Sequence, residues 1–149
     1  MSDYGLNAEV NNETAAAERK SVNERRKEVE NAILGILEEN FPDISWAKRY
    51  KGFQREKGIS GSLVNSRTHF EYDAKTQLVA TSTYALIISD PDNTETVDAI
   101  ADEAFELLNN DDLDGKVTDG LITDILYGAA PNKEEAGSVL MWYEVKYYV

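Results

Sequence analysis

The chain has 149 residues, with 28 acidic against 15 basic side chains for a formal net charge of −13, no cysteine and a single histidine. That length fits one domain, and a hydrophobic content of 42% is enough to close a core, which excludes a wholly disordered chain. The absence of cysteine excludes disulfides and thiolate metal sites, one histidine excludes multi-histidine zinc chemistry, and no segment nears the roughly 20 apolar residues of a membrane-spanning helix.

Met1-Ser2-Asp3-Tyr4-Gly5 lacks the basic and then apolar regions of a secretion signal, so the cytoplasm is the expected compartment. Residues 1–18 are polar and read as a flexible arm ahead of a single domain over residues 19–149. From Ser21 to Asn40 the spacing predicts a helix, with Val22, Val29, Ile33, Ile36 and Leu37 on one face. Phe41-Pro42 ends it, because the residue before proline avoids helical backbone angles. Ile44 to Phe53 reads as a strand, and Lys57 to Ser62, with two glycines and two serines, as a flexible loop.

Thr68 to Tyr72 alternates polar and aromatic residues, Asp73-Ala74-Lys75 makes a turn, and Gln77 to Ser89 is rich in β-branched and aromatic residues. These segments predict a hairpin. Asp92 and Glu95 have capping-box spacing ahead of a helix whose apolar stripe is Val97, Ile100, Ala101, Ala104, Phe105 and Leu108. Asp98, Asp102, Glu103 and Glu106 fall on its outside. A turn follows at Asp111 to Gly115, then strands over Gly120 to Tyr127 and Val139 to Val149. In the last strand Tyr143, Val145, Tyr147 and Val149 face one way, and Glu144, Lys146 and Tyr148 the other. The expected class is α+β: a mostly antiparallel β-sheet with two main helices packed on one face.

Charge is unevenly placed. Residues 1–40 carry −4, residues 41–89 carry +3, and residues 90–149 carry −12. Phosphates are repelled by so acidic a surface, so nucleic-acid binding over most of it is not expected. Lys48, Arg49, Lys51, Arg55 and Lys57 form the exception, with Trp46, Tyr50 and Phe53 among them. Such a segment is a solvated strand or loop, a base-stacking platform, or a contact for the acidic surface of another copy. In the last strand Trp142 and Tyr148, on the face away from the core, need cover from a neighbouring element or from another subunit.

No catalytic constellation emerges, and the chain is read as a non-enzyme with no cofactor and no metal. Asn110, Asp112, Asp114 and Gly115 match early positions of a calcium loop, but Leu121 stands where the bidentate glutamate belongs. An acidic turn whose aspartates bond their own backbone accounts for the same residues. His69 has no nucleophile near it in sequence, and neither a phosphate-binding glycine loop nor a nucleophile elbow is present.

The second half resembles the tail terminator (tail completion) proteins of tailed bacteriophages. The resemblance rests on the strand Leu78 to Ile88, a helix ending in Phe105-Glu106-Leu107-Leu108, and the turn Asp111-Asp112-Leu113-Asp114-Gly115-Lys116-Val117. A strand ending at Tyr127-Gly128, a polar loop, and a strand closing in Val145-Lys146-Tyr147 complete it. It implies a virion structural subunit without catalysis that forms a ring, typically a hexamer. The ring caps the tail tube and meets the head connector or stopper protein, with DNA passing through without specific binding.

An acidic lumen suits that passage, with Asp111, Asp112, Asp114, Glu134 and Glu135 as candidates. A ring also needs two different patches on each subunit, for which the basic segment Lys48, Arg49, Lys51, Arg55 and Lys57 and the acidic residues 90–149 are candidates, with Trp142 and Tyr148 as further candidate interface residues. The polar arm is longer than that family's short start, which leaves room for another neck or tail component such as a head–tail joining or stopper protein. The competing class is a small acidic partner-binding protein, such as a DNA mimic.

Overall fold

The computed structural model describes residues 21–48, 59–74, 76–90, 94–128 and 137–149. Helix α1 (Val22–Asn40) is followed by strands β1 (Ser45–Ala47), β2 (Ser60–Asp73) and β3 (Gln77–Ser89). Helix α2 (Thr94–Leu108) and strands β4 (Asp119–Tyr127) and β5 (Ser138–Tyr148) complete the order. The fold is α+β, with one five-stranded sheet in the order β1-β2-β3-β5-β4. Every neighbouring pair is antiparallel except β1 with β2.

Ser21 caps α1 by accepting from the Glu24 N–H at 3.1 Å, which satisfies one of the helix's unpaired amide donors. At the other end, Phe41 N–H donates to the Leu37 carbonyl at 2.8 Å, and the Asn40 side chain to that of Ile36 at 2.8 Å. The buried stripe is Val29, Ile33, Leu34 and Leu37, together with Glu30, which pairs with Arg26 at 3.5 Å. Val22, expected on that stripe, is exposed because it lies in the first turn, beyond the packed face. The α2 stripe buries Val97, Ala101, Ala104 and Leu108. The Asp92 cap position lies outside the described residues.

Both helices share one core with a single face of the sheet. That face presents Leu63 from β2, then Ala80, Ser82, Tyr84, Leu86 and Ile88 from β3, and Val139, Met141, Tyr143, Val145 and Tyr147 from β5. The period of two puts every second residue of each strand toward the helices. Val149, expected in this row, is exposed, since the strand ends at Tyr148. Arg25 ties the start of α1 to the sheet: its guanidinium donates to the carbonyls of Tyr148 (3.2 Å) and Lys116 (3.0 Å) and lies 6.0 Å from the Tyr147 ring centre.

Ser60, Gly61 and Ser62, expected in a loop, belong to β2. They pair with Ile87 to Ser89 on one side and with β1 on the other. The glycine serves packing: a Cβ on Gly61 would overlap the Trp46 ring. The strand expected over Ile44 to Phe53 is confirmed only as Ser45–Ala47, and residues 49–53 lie outside the described residues.

Candidate functional site

The helices cover one side of the sheet, and the register assembles the other side into rows. Toward one end lie Ser62, Ile87, Leu140 and Leu126, then Val64, Ala85, Trp142 and Asp124. Toward the hairpin tip lie Arg67, Thr83, Glu144 and Leu121, then His69, Thr81, Lys146 and Asp119. The open face is thus apolar at one end and charged at the other, with Trp142 at the boundary. A groove of about 470 Å³ runs over the charged end, lined by Arg67, Glu71, Thr81, Trp142, Glu144 and Lys146 among others. Beside it, Tyr72, Val79 and Tyr148 line a hollow of about 280 Å³.

His69 Nε2 and Glu71 Oε1 are 3.0 Å apart but exposed, so their pairing is screened and contributes little stability. The strongly perturbed groups lie on the opposite, helix-covered side. Burial pushes the Tyr84 phenol well above its ordinary range, with Tyr147 and Glu30 adding to the effect, and it does the same to Tyr143, beside Asp111 and Asp119. Neither hydroxyl has a hydrogen-bond partner among the described residues, and both belong to the core. Among the described residues no three histidine or acidic side chains gather to hold a metal, and no helix is long and apolar enough to cross a membrane.

Of the interface residues expected from sequence, the three that are described, Lys48, Trp142 and Tyr148, do not form one patch. Trp142 and Tyr148 lie on the open face, one half-buried and the other 38% exposed. Lys48 reaches the helix layer instead, donating to Asn31 Oδ1 of α1 at 2.6 Å. Arg49, Lys51, Arg55 and Lys57 lie outside the described residues, as do Glu134 and Glu135.

Asp111, Asp112 and Asp114 occupy the turn between α2 and β4. Asp111 Oδ1 accepts from the Leu113 N–H at 2.7 Å, and the Asp112 carbonyl from that of Val117 at 3.1 Å. Asn110, Leu113, Asp114 and Gly115 all take positive φ there. Asp112 and Asp114 are exposed, while Leu113 is buried and anchors the turn.

Arg67, Thr81, Thr83, Glu144 and Lys146 were not among the expected site residues. Their signal was the alternation of polar positions in β2, β3 and β5, which becomes a surface only once the register is known. No family model matches this chain, and no curated protein matches it.

Proposed function

We propose that this chain is a structural subunit of a bacteriophage tail, assembling with its own copies into a ring, typically a hexamer. The ring caps the tail tube and joins it to the head connector, and DNA passes without specific binding. The observation that carries assembly is a sheet that the described residues cover on one side only, whose other face sets Trp142 and Leu140 beside Arg67, Glu144 and Lys146. Large aromatic and apolar side chains with a polar rim are typical of subunit contacts. Support for a tail role comes from the resemblance carried by the helix end Phe105 to Leu108, the Asp111 to Val117 turn, and strands β4 and β5 after it.

In this reading Lys48, Arg49, Lys51, Arg55 and Lys57 meet an acidic patch of the next copy, and the exposed Asp112 and Asp114 belong to the acidic lumen. Immunogold labelling of tails in electron micrographs tests the function, with label expected at the head-proximal tail end. Complete, correctly terminated tails formed without the protein would overturn it. Reversing Lys48, Arg49 and Lys51 to glutamate tests the patch, and unchanged assembly with unchanged salt dependence would remove that assignment.

The second reading, an acidic protein that occupies a nucleic-acid-binding partner, is favoured by the outer side of α2, where Asp102, Glu103 and Glu106 are exposed. A strict monomer that competes with DNA for such a partner would favour it.

A further inference from the structure

We propose that the outer edge of β2 is a self-association site, at which two copies pair antiparallel over Arg67–Asp73 about a two-fold axis at Phe70. Among the described residues β1 covers β2 only at Ser60–Ser62, and no backbone–backbone hydrogen bond reaches the outer side of β2 beyond that point. The bulge between Asn65 and Arg67 leaves Arg67–Asp73 as an unbulged stretch, paired residue for residue with β3 on its inner side. A row of outward amides and carbonyls without a partner strand among the described residues is a template for another strand.

The side chains select what that strand can be. On the open face the order is Arg67, His69, Glu71, Asp73: basic first, acidic last. A parallel copy in register would set like charges together. An antiparallel copy centred on Phe70 sets Arg67 opposite Asp73 and His69 opposite Glu71, each pair formed twice. On the other side Phe70, 40% exposed, meets its own counterpart, and Tyr72, 70% exposed, meets Thr68. Charges that usually guard an edge strand are here self-complementary. A second copy of this chain is therefore the partner that fits. This contact goes beyond the ring and does not depend on it: a ring joins two different patches, whereas here one edge is used twice.

The absence of cysteine gives a clean test. In the full-length protein, Phe70→Cys places two thiols directly opposite, where antiparallel Cα atoms stand about 4.5–5.5 Å apart, within reach of a disulfide. Mild oxidation is expected to give a covalent dimer, while Tyr127→Cys, at a more exposed position on β4, stays monomeric. By sedimentation velocity the native protein is expected to dimerise with concentration. Arg67→Asp is expected to weaken this roughly tenfold, and Arg67→Asp with Asp73→Arg to restore it. A native protein monomeric at every concentration, Phe70→Cys crosslinking no faster than Tyr127→Cys, or a double swap that fails to restore dimerisation would each overturn the proposal and leave the edge to a different chain. Tail-end rings without the Phe70 crosslink would separate this contact's failure from that of the ring.

Discussion

Two tyrosines on the helix-covered face of the sheet respond differently to loss of a hydroxyl. Tyr84 is fully buried and its hydroxyl has no partner among the described residues, so it carries the desolvation cost without a bond in return. Replacing it with phenylalanine keeps the ring and removes that cost, a gain of about 1 kcal/mol at the low end of the usual range for an unsatisfied buried group. The Tyr147 hydroxyl bonds Ser82 Oγ at 2.7 Å. Tyr147→Phe loses that bond, but Ser82 Oγ keeps Thr68 Oγ1 at 2.8 Å, so no new orphan appears and the cost is about 1 kcal/mol. In a chain of this size 1 kcal/mol moves the melting temperature by about 2–4 °C. Calorimetry or urea titration should therefore show Tyr84→Phe melting above the native protein and Tyr147→Phe below it. A Tyr84→Phe variant destabilised as much as Tyr147→Phe would refute the reasoning.

The same burial sets the alkaline limit. Tyr84 and Tyr143 hold their protons in the folded chain well above the ordinary phenol value of 10.0, so above pH 10.0 the unfolded state binds fewer protons and stability falls as pH rises. Urea titrations above that pH should give a shallower fall for the Tyr84→Phe, Tyr143→Phe double variant than for the native protein. Gly61→Ala should cost about 1–3 kcal/mol through overpacking against Trp46, whose indole N–H donates to the Phe41 carbonyl at 3.3 Å. In a Trp142→Phe background, Trp46 emission should shift to the red, and an unmoved spectrum with unchanged stability would count against the packing described. Arg25→Ala should lower stability by about 1–2 kcal/mol, since it removes two carbonyl contacts and the stacking on Tyr147. Arg25→Lys should recover little of that, because an ammonium does not reproduce the guanidinium fork.

Both helices, the hairpin and the two last strands could be read from the sequence, because their apolar residues recur with period 3.6 or 2 over long windows. Ser60-Gly61-Ser62 could not: its composition is that of a loop, and only the Trp46 ring lying against Gly61 explains the glycine inside a strand. Strand order was equally hidden, since nothing local says that β5 inserts between β3 and β4. The groove was missed for the same reason. Arg67, Thr83 and Glu144 are distant in sequence and become neighbours through two registers. Trp142 and Tyr148 were placed on the open face correctly because alternation within a single strand sufficed.

The two edges of the sheet are treated differently, and this decides what kind of assembly strand pairing can produce. On β4 two outer groups near the start of the strand are occupied: the Asn110 N–H donates to the Gly120 carbonyl at 2.9 Å, and the Ile122 N–H to Asn109 Oδ1 at 2.9 Å. A bulge between Ile122 and Asp124 bends the rest of that edge. The residues that follow α2 thereby cover the first part of the β4 edge and hinder a sheet from growing there. Had both edges been free, pairing of β4 with the β2 edge of the next copy would repeat without a fixed end and risk a fibre. Among the described residues only the β2 edge offers a long unbulged run without a neighbour, so pairing there consumes that template in each copy and stops at two. Strand addition then gives a closed pair, and any larger ring must be built through side chains on the sheet's open face or on the helices.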